Sequence, residues 1–136
     1  MKILGVDFGD SRTGYAISDA MGFSANVLEA YKCKSIKGVA DYTAKLVSDL
    51  GAEKIVLGYP KNMNGTVGPR GEKSEALKAA LEERTDIPVI LWDERRTTVD
   101  ADRILRESGK KGKNKRKIID DVAASLILEG YLQTLH

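Results

Sequence analysis

Apolar positions along the chain change their spacing in a way that sets out the elements in order. Lys2-Ile-Leu-Gly-Val6 is an apolar run that ends on Asp7, and Tyr15-Ala-Ile-Ser18 is a second run. Gly9 and Gly14 bracket the polar turn between them, so the pair predicts two buried strands joined by a hairpin. Gly22 and Ser24 mark another turn, and Ala25 to Tyr31 predicts a third strand. From Ser35 the period becomes helical: Ile36, Val39, Ala40, Thr43, Leu46, Val47 and Leu50 share one face, and Gly51 follows as a C-terminal stop.

Lys54-Ile-Val-Leu57 is a short run, apolar after its lysine, the signature of a strand buried on both faces. Gly58 to Gly71 holds four glycines and two prolines and predicts a long loop beyond that strand. Glu72 to Arg84 is rich in Ala, Leu, Glu and Lys and predicts a helix; Val89-Ile-Leu-Trp92 predicts a last strand, ending on Asp93-Glu-Arg95. Thr97 and Asp100 have the spacing of a capping pair before a short helix that fades near Gly109, and a final helix is expected from about Arg116 to Thr134. The order predicts an α/β domain spanning 1–136: a three-strand antiparallel meander and two parallel strands in one mixed sheet, with helices on both faces.

Composition adds limits. With 136 residues, 42% hydrophobic and 31% charged, the chain matches an ordinary soluble domain with one core. No run approaches the roughly 18 apolar residues of a membrane span, and the N-terminus leads directly into a strand. Cys33 is the one cysteine, which excludes an intrachain disulfide and suits a cytoplasmic protein; with His136 the one histidine, a thiol nucleophile lacks an evident base. The net charge of +2 is smaller than the contribution of Lys110, Lys111, Lys113, Lys115, Arg116 and Lys117, so the rest of the chain is net acidic. That cluster is either a solvated loop or a surface for a polyanion.

Carboxylates carry the candidate chemistry. Asp7 at the tip of a buried strand either bonds the N–H groups of its turn or helps to hold a cation. If the first and last strands lie side by side, Asp7 shares a rim with Asp93 or Glu94. Side chains alternate along a strand, so only one of those two reaches the same spot; Glu94, with the longer side chain, is the expected inner ligand and Asp93 the alternative. In the final helix Ala123, Ala124, Ile127, Leu128 and Tyr131 form an apolar stripe, with Asp120 near its centre and Asp121 toward its flank. Either acid can simply offset the helix dipole. Together with Asp7 and Glu94, however, Asp120 would complete an oxygen-only site suited to Mg²⁺ or Mn²⁺, the chemistry of phosphodiester cleavage. Arg12, Lys61, Arg70 and Arg95 are candidate phosphate contacts, with the 110–117 cations clamping the backbone of a nucleic acid.

The ordered set Asp7-Phe-Gly9, Arg12, Gly14, Ala16, Ser18-Asp19, Gly58-x-Pro60, Gly65, Asp93-Glu-Arg95, Thr98, Asp120, Ala123-Ala124 and Ile127-Leu128 resembles the YqgF/RuvX family over nearly the whole chain. Tyr59, Asn64 and Arg96 depart from its usual residues. The resemblance implies an RNase H-like fold related to RuvC Holliday-junction resolvases. It also implies a bacterial cytoplasmic nuclease that matures the 5′ end of pre-16S ribosomal RNA; no stretch announces a large apolar dimer face, so a monomer or weak homodimer is expected. The metal-binding acids would be Asp7, Glu94 and Asp120. Cleavage of branched DNA and a purely RNA-binding role are the alternatives.

Overall fold

The computed structural model describes residues 1–62, 64–94 and 113–135, with the side chains of the last helix described from Val122 onward. Five strands form one sheet: β1 (Ile3–Phe8), β2 (Arg12–Ser18), β3 (Ala25–Lys32), β4 (Lys54–Tyr59) and β5 (Val89–Asp93), in the order β3-β2-β1-β4-β5. β1, β2 and β3 are the antiparallel meander, and β4 runs parallel to both β1 and β5. The mixed sheet expected from the sequence is therefore present. One premise is corrected: β1 and β5 are not neighbours, because β4 lies between them.

Three helices cover the sheet: α1 (Ile36–Leu50), α2 (Pro69–Glu82) and α3 (Lys113–Gln133). Ser35 caps α1 by accepting from the Gly38 N–H, and Gly51, at φ 72°, ends it in the left-handed region that glycine tolerates. α2 starts earlier than its composition suggests, since Pro69 fits the first turn, where an N–H has no intrahelical partner. Arg70 and Gly71 are thus helical rather than loop residues. Gly58 and Tyr59 likewise belong to β4, which shortens the glycine-rich loop to 60–68. β2 also begins before Tyr15, because Thr13 pairs with Phe8 across the hairpin.

Alternation along the strands divides the core in two. Leu4, Val6, Tyr15, Ile55, Leu57 and Val89 pack with Val39, Ala40 and Val47 of α1 and Leu77 and Leu81 of α2. Ile3, Ala16 and Val56 face the other way, against Ala124, Ile127, Leu128, Tyr131 and Leu132 of α3. α3 lies close enough to β1 that a Cβ built on Gly5 would sit 2.8 Å from the Ala124 carbonyl oxygen. A glycine inside a buried strand marks such a close approach. Lys54 Nζ, at the start of β4, donates to the Tyr131 hydroxyl at 2.8 Å, while Ile127 lies over Gly58 near the end of β4. α3 therefore runs opposite to the parallel strands, and its N-terminal half leads toward their carboxyl ends. No helix among the described residues is long and apolar enough to cross a membrane.

Candidate metal-dependent active site

Two acids from strands that do not touch meet at the carboxyl edge of the sheet. In β1, Ile3 and Gly5 face α3, so Asp7 does as well. In β5, Ile90 and Trp92 pack into the α3-side core, which puts Glu94 on that face and Asp93 on the other. Adjacent strands are about 4.8 Å apart, so roughly 10 Å separates β5 from β1, a gap that the Glu94 and Asp7 side chains close together. Glu94 makes its part of the crossing over Gly58 of β4. A Cβ at position 58 would lie 2.5 Å from Glu94 Oε1 and 2.7 Å from Ile127 Cδ1, so a glycine is what leaves the passage open.

The Glu94 carboxyl is hydrogen-bonded to the side chain of Asp7. Burial, that bond and the negative charge of Asp7 push the Glu94 pKa up from 4.5 to about 8, and Arg70 pulls weakly in the opposite direction. At neutral pH a proton is thus held between the two acids. Carboxyl groups placed so close and partly buried repel each other when both are ionised, unless a proton or a cation sits between them. A donor set of carboxylate oxygens alone fits a hard divalent ion such as Mg²⁺ or Mn²⁺ and has none of the Cys or His ligands usual for zinc.

Among the described residues no group of three His, Cys, Asp or Glu comes together. The expected third ligand, Asp120, belongs to α3 four positions ahead of Ala124 and seven ahead of Ile127; its side chain, like that of Asp121, lies outside the described set.

A cleft of about 200 Å³ opens beside Asp7, lined by Gly9, Asp10, Ser11, Arg12, Gly14 and Arg70. Two of the cations expected to meet phosphate, Arg12 and Arg70, thus share a cavity with the first acid. At its mouth Lys73 Nζ pairs with Asp10 at 2.9 Å and holds that carboxyl below its ordinary range. The sequence reading missed this pair because Asp10 and Lys73 come from distant elements.

Lys61 is placed differently. Its Nζ lies 5.5 Å from the centre of the Tyr59 ring, and Lys61 forms a bridge with Val67. The loop between them is closed on itself: the Asn62 N–H donates to Thr66 O, the Gly65 N–H to Asn62 O, and the Thr66 N–H to Asn64 Oδ1. Those three N–H groups are engaged within the loop itself.

The basic run is also redrawn. The last helix begins at Lys113 rather than near Arg116, so Lys113 and Lys115 join Arg116 and Lys117 in its first turns. Arg95, Lys110 and Lys111, and the short helix expected after Thr97, lie outside the described residues.

The chain is similar to known proteins. A relative from Bacillus subtilis (strain 168) named "Putative pre-16S rRNA nuclease" is 45% identical over 140 residues, covering 100% of both chains. One from Acetivibrio thermocellus with the same name is 45% identical over 136 residues, covering 98% of this chain and 96% of its own. Among solved structures, T. thermophilus RuvC in complex with a Holliday junction substrate superposes with a TM-score of 0.62 at 12% identity, covering 98% of this chain and 96% of that one. At that identity the likeness shows the fold, an RNase H-like mixed sheet of the RuvC kind. The family model described as "RuvX: Holliday junction resolvase" matches residues 1–134, and the chain belongs to that family.

Proposed function

We propose that this nuclease-family protein is a divalent-metal-dependent endonuclease that cleaves structured RNA and processes the 5′ end of pre-16S rRNA. The observation that carries the reading is Glu94 crossing β4 over Gly58 to meet Asp7. A protein that only binds a polyanion gains nothing from two half-buried acids in its cleft. Asp7, Glu94 and Asp120 hold the ion, Mg²⁺ or Mn²⁺, which when bound lowers the pKa of a water and offsets charge developing on the phosphate. Arg12 and Arg70 hold a phosphate beside Asp7. Lys110, Lys111, Lys113, Lys115, Arg116 and Lys117, with Arg95 and Lys61, attract the backbone on either side. The 45% identity to relatives named for pre-16S rRNA supports that substrate.

A second reading, resolution of four-way DNA junctions, is favoured by the family description and by the RuvC-like fold. Paired cleavage of a junction requires two active sites and hence a dimer.

One assay separates these readings: precursor rRNA, generic RNA and branched DNA incubated with Mg²⁺, comparing the native chain with Asp7→Asn. We expect selective cleavage of precursor rRNA by the native chain and none by the variant. Full cleavage by Asp7→Asn would remove Asp7 from the chemistry. Preference for the junction, with a dimer in light scattering, would move the assignment to branched DNA.

A further inference from the structure

Beyond Arg12 the surface continues into a second cavity, of about 390 Å³, lined by Ser11, Arg12, Lys32, Cys33 and Lys34. Ser11 and Arg12 line both this cavity and the Asp7 cleft, so the two are contiguous. Strand pairing explains how the cations gather: Arg12 begins β2 directly opposite Lys32 at the end of β3, and the Cys33 N–H donates to Ser11 O at 3.1 Å. Like charges set directly across an antiparallel pair cost stability. Lys34 adds a third positive charge. Among the described residues no acid pairs with Lys32 or Lys34. An anion lying over the three would remove this repulsion.

We propose that this cavity is a second phosphate subsite, which holds the backbone of the same nucleic-acid strand a few nucleotides from the phosphate at Asp7. The inference rests on the nucleic-acid reading above and extends it to residues outside the acid cluster. β3 is two strand spacings from β1, on the order of 10 Å. That is about three nucleotides of a stacked strand, at a rise of 3.4 Å each, and about one or two of an extended one. The substrate path then crosses the strand ends from β1 over Arg12 of β2 to Lys32 of β3. Backbone contacts of this kind fix position without reading sequence.

Cys33 provides the readout. It is the only cysteine of the chain and lines the subsite. Hydrogen bonding with Ser35 lowers its thiol pKa, which favours the thiolate that alkylating reagents attack. The test uses a labelled single-stranded RNA oligonucleotide and its DNA counterpart, both in EDTA so that no cleavage occurs. Saturating oligonucleotide should slow maleimide alkylation of native Cys33 by about tenfold or more, equally for RNA and DNA.

In the double variant Lys32→Gln/Lys34→Gln, the log–log dependence of affinity on salt should become shallower by about 1.4, two contacts at roughly 0.7 each for a single strand. The variant should melt no lower than the native chain, because the facing charges are gone. Unchanged alkylation at saturation, or an unchanged salt slope, would overturn the subsite. Because binding is read without metal, loss of protection alongside a normally inactive Asp7→Asn sinks only the subsite. Protection alongside a fully active Asp7→Asn sinks only the metal-site reading.

Discussion

Glu94 makes stability depend on pH in a direction opposite to that of most carboxylates. Its folded-state pKa, about 8, lies above the ordinary 4.5, so the folded protein holds this proton more tightly than the unfolded chain does. The contribution is complete below pH 4.5 and is lost as pH rises through about 8. A rise from 4.5 to about 8 sets a ceiling of about 5 kcal/mol, at roughly 1.4 kcal/mol per decade. The carboxyl is only partly enclosed and solvent screens it, so we expect a loss of about 1–2 kcal/mol between pH 5 and 8. Glu94→Gln keeps a donor for Asp7 and cannot ionise, so the variant should keep its stability over that interval. The difference between the two chains isolates Glu94, since Asp10 and Asp19, with lowered pKa values, titrate below this window in both. Urea unfolding in EDTA at pH 5, 6, 7 and 8 measures it. Parallel curves for native and variant would refute the account. Added Mg²⁺ at pH 8 should restore the native chain by about 2.7 kcal/mol at a hundredfold excess over its Kd, and the variant by much less.

Three further substitutions test the geometry. Gly58→Ala puts a methyl group 2.5 Å from Glu94 Oε1, so it should cost about 1–3 kcal/mol in urea unfolding and displace the acid enough to reduce cleavage about a hundredfold. Gly5→Ala meets the Ala124 carbonyl, which as backbone cannot swing aside, and should lower stability by about 1–3 kcal/mol or more by lifting α3 from β1. Asp93→Asn removes a charge that repels Glu94 from the far side of β5. It should lower the Glu94 pKa, seen as a smaller pH-dependent loss that ends at lower pH, and retain Mg²⁺-dependent cleavage.

The spacing of apolar residues was a good guide where one element buries one face. The helical period from Ile36 to Leu50 and the wholly apolar Ile55–Leu57 both describe residues whose neighbours are set by local geometry, and both elements are present as expected. Boundaries differ where glycine and proline read as breakers in the sequence but lie inside an element in the fold. Gly58 sits in β4 because the strand needs no side chain there, and Pro69 sits in α2 because the first turn needs no N–H. Neither substitution of role is visible from residue type alone. Strand order was also beyond reach, since nothing in the composition of β1, β4 or β5 says which of the parallel strands lies in the middle.

That last point governs the site. Adjacency of the first and last strands would have let either Asp93 or Glu94 approach Asp7, and the longer side chain would have been a convenience. With β4 interposed, length becomes a requirement: two short carboxyl side chains cannot meet across two strand spacings, and even a long one needs an empty position to cross. The four chemical choices are therefore coupled. Asp7 faces α3 by alternation from Gly5, Glu94 does so by alternation from Trp92, Gly58 opens the gap between them, and Gly5 brings α3 down over the same edge. Altering the register of β5 by one residue would exchange Glu94 for Asp93 and leave Asp7 without its partner, because a one-residue slip turns every side chain to the opposite face. The acid pair thus depends on the pairing of Gly58 with Trp92 and Tyr59 with Asp93, a ladder of backbone bonds in which neither acid takes part through its side chain.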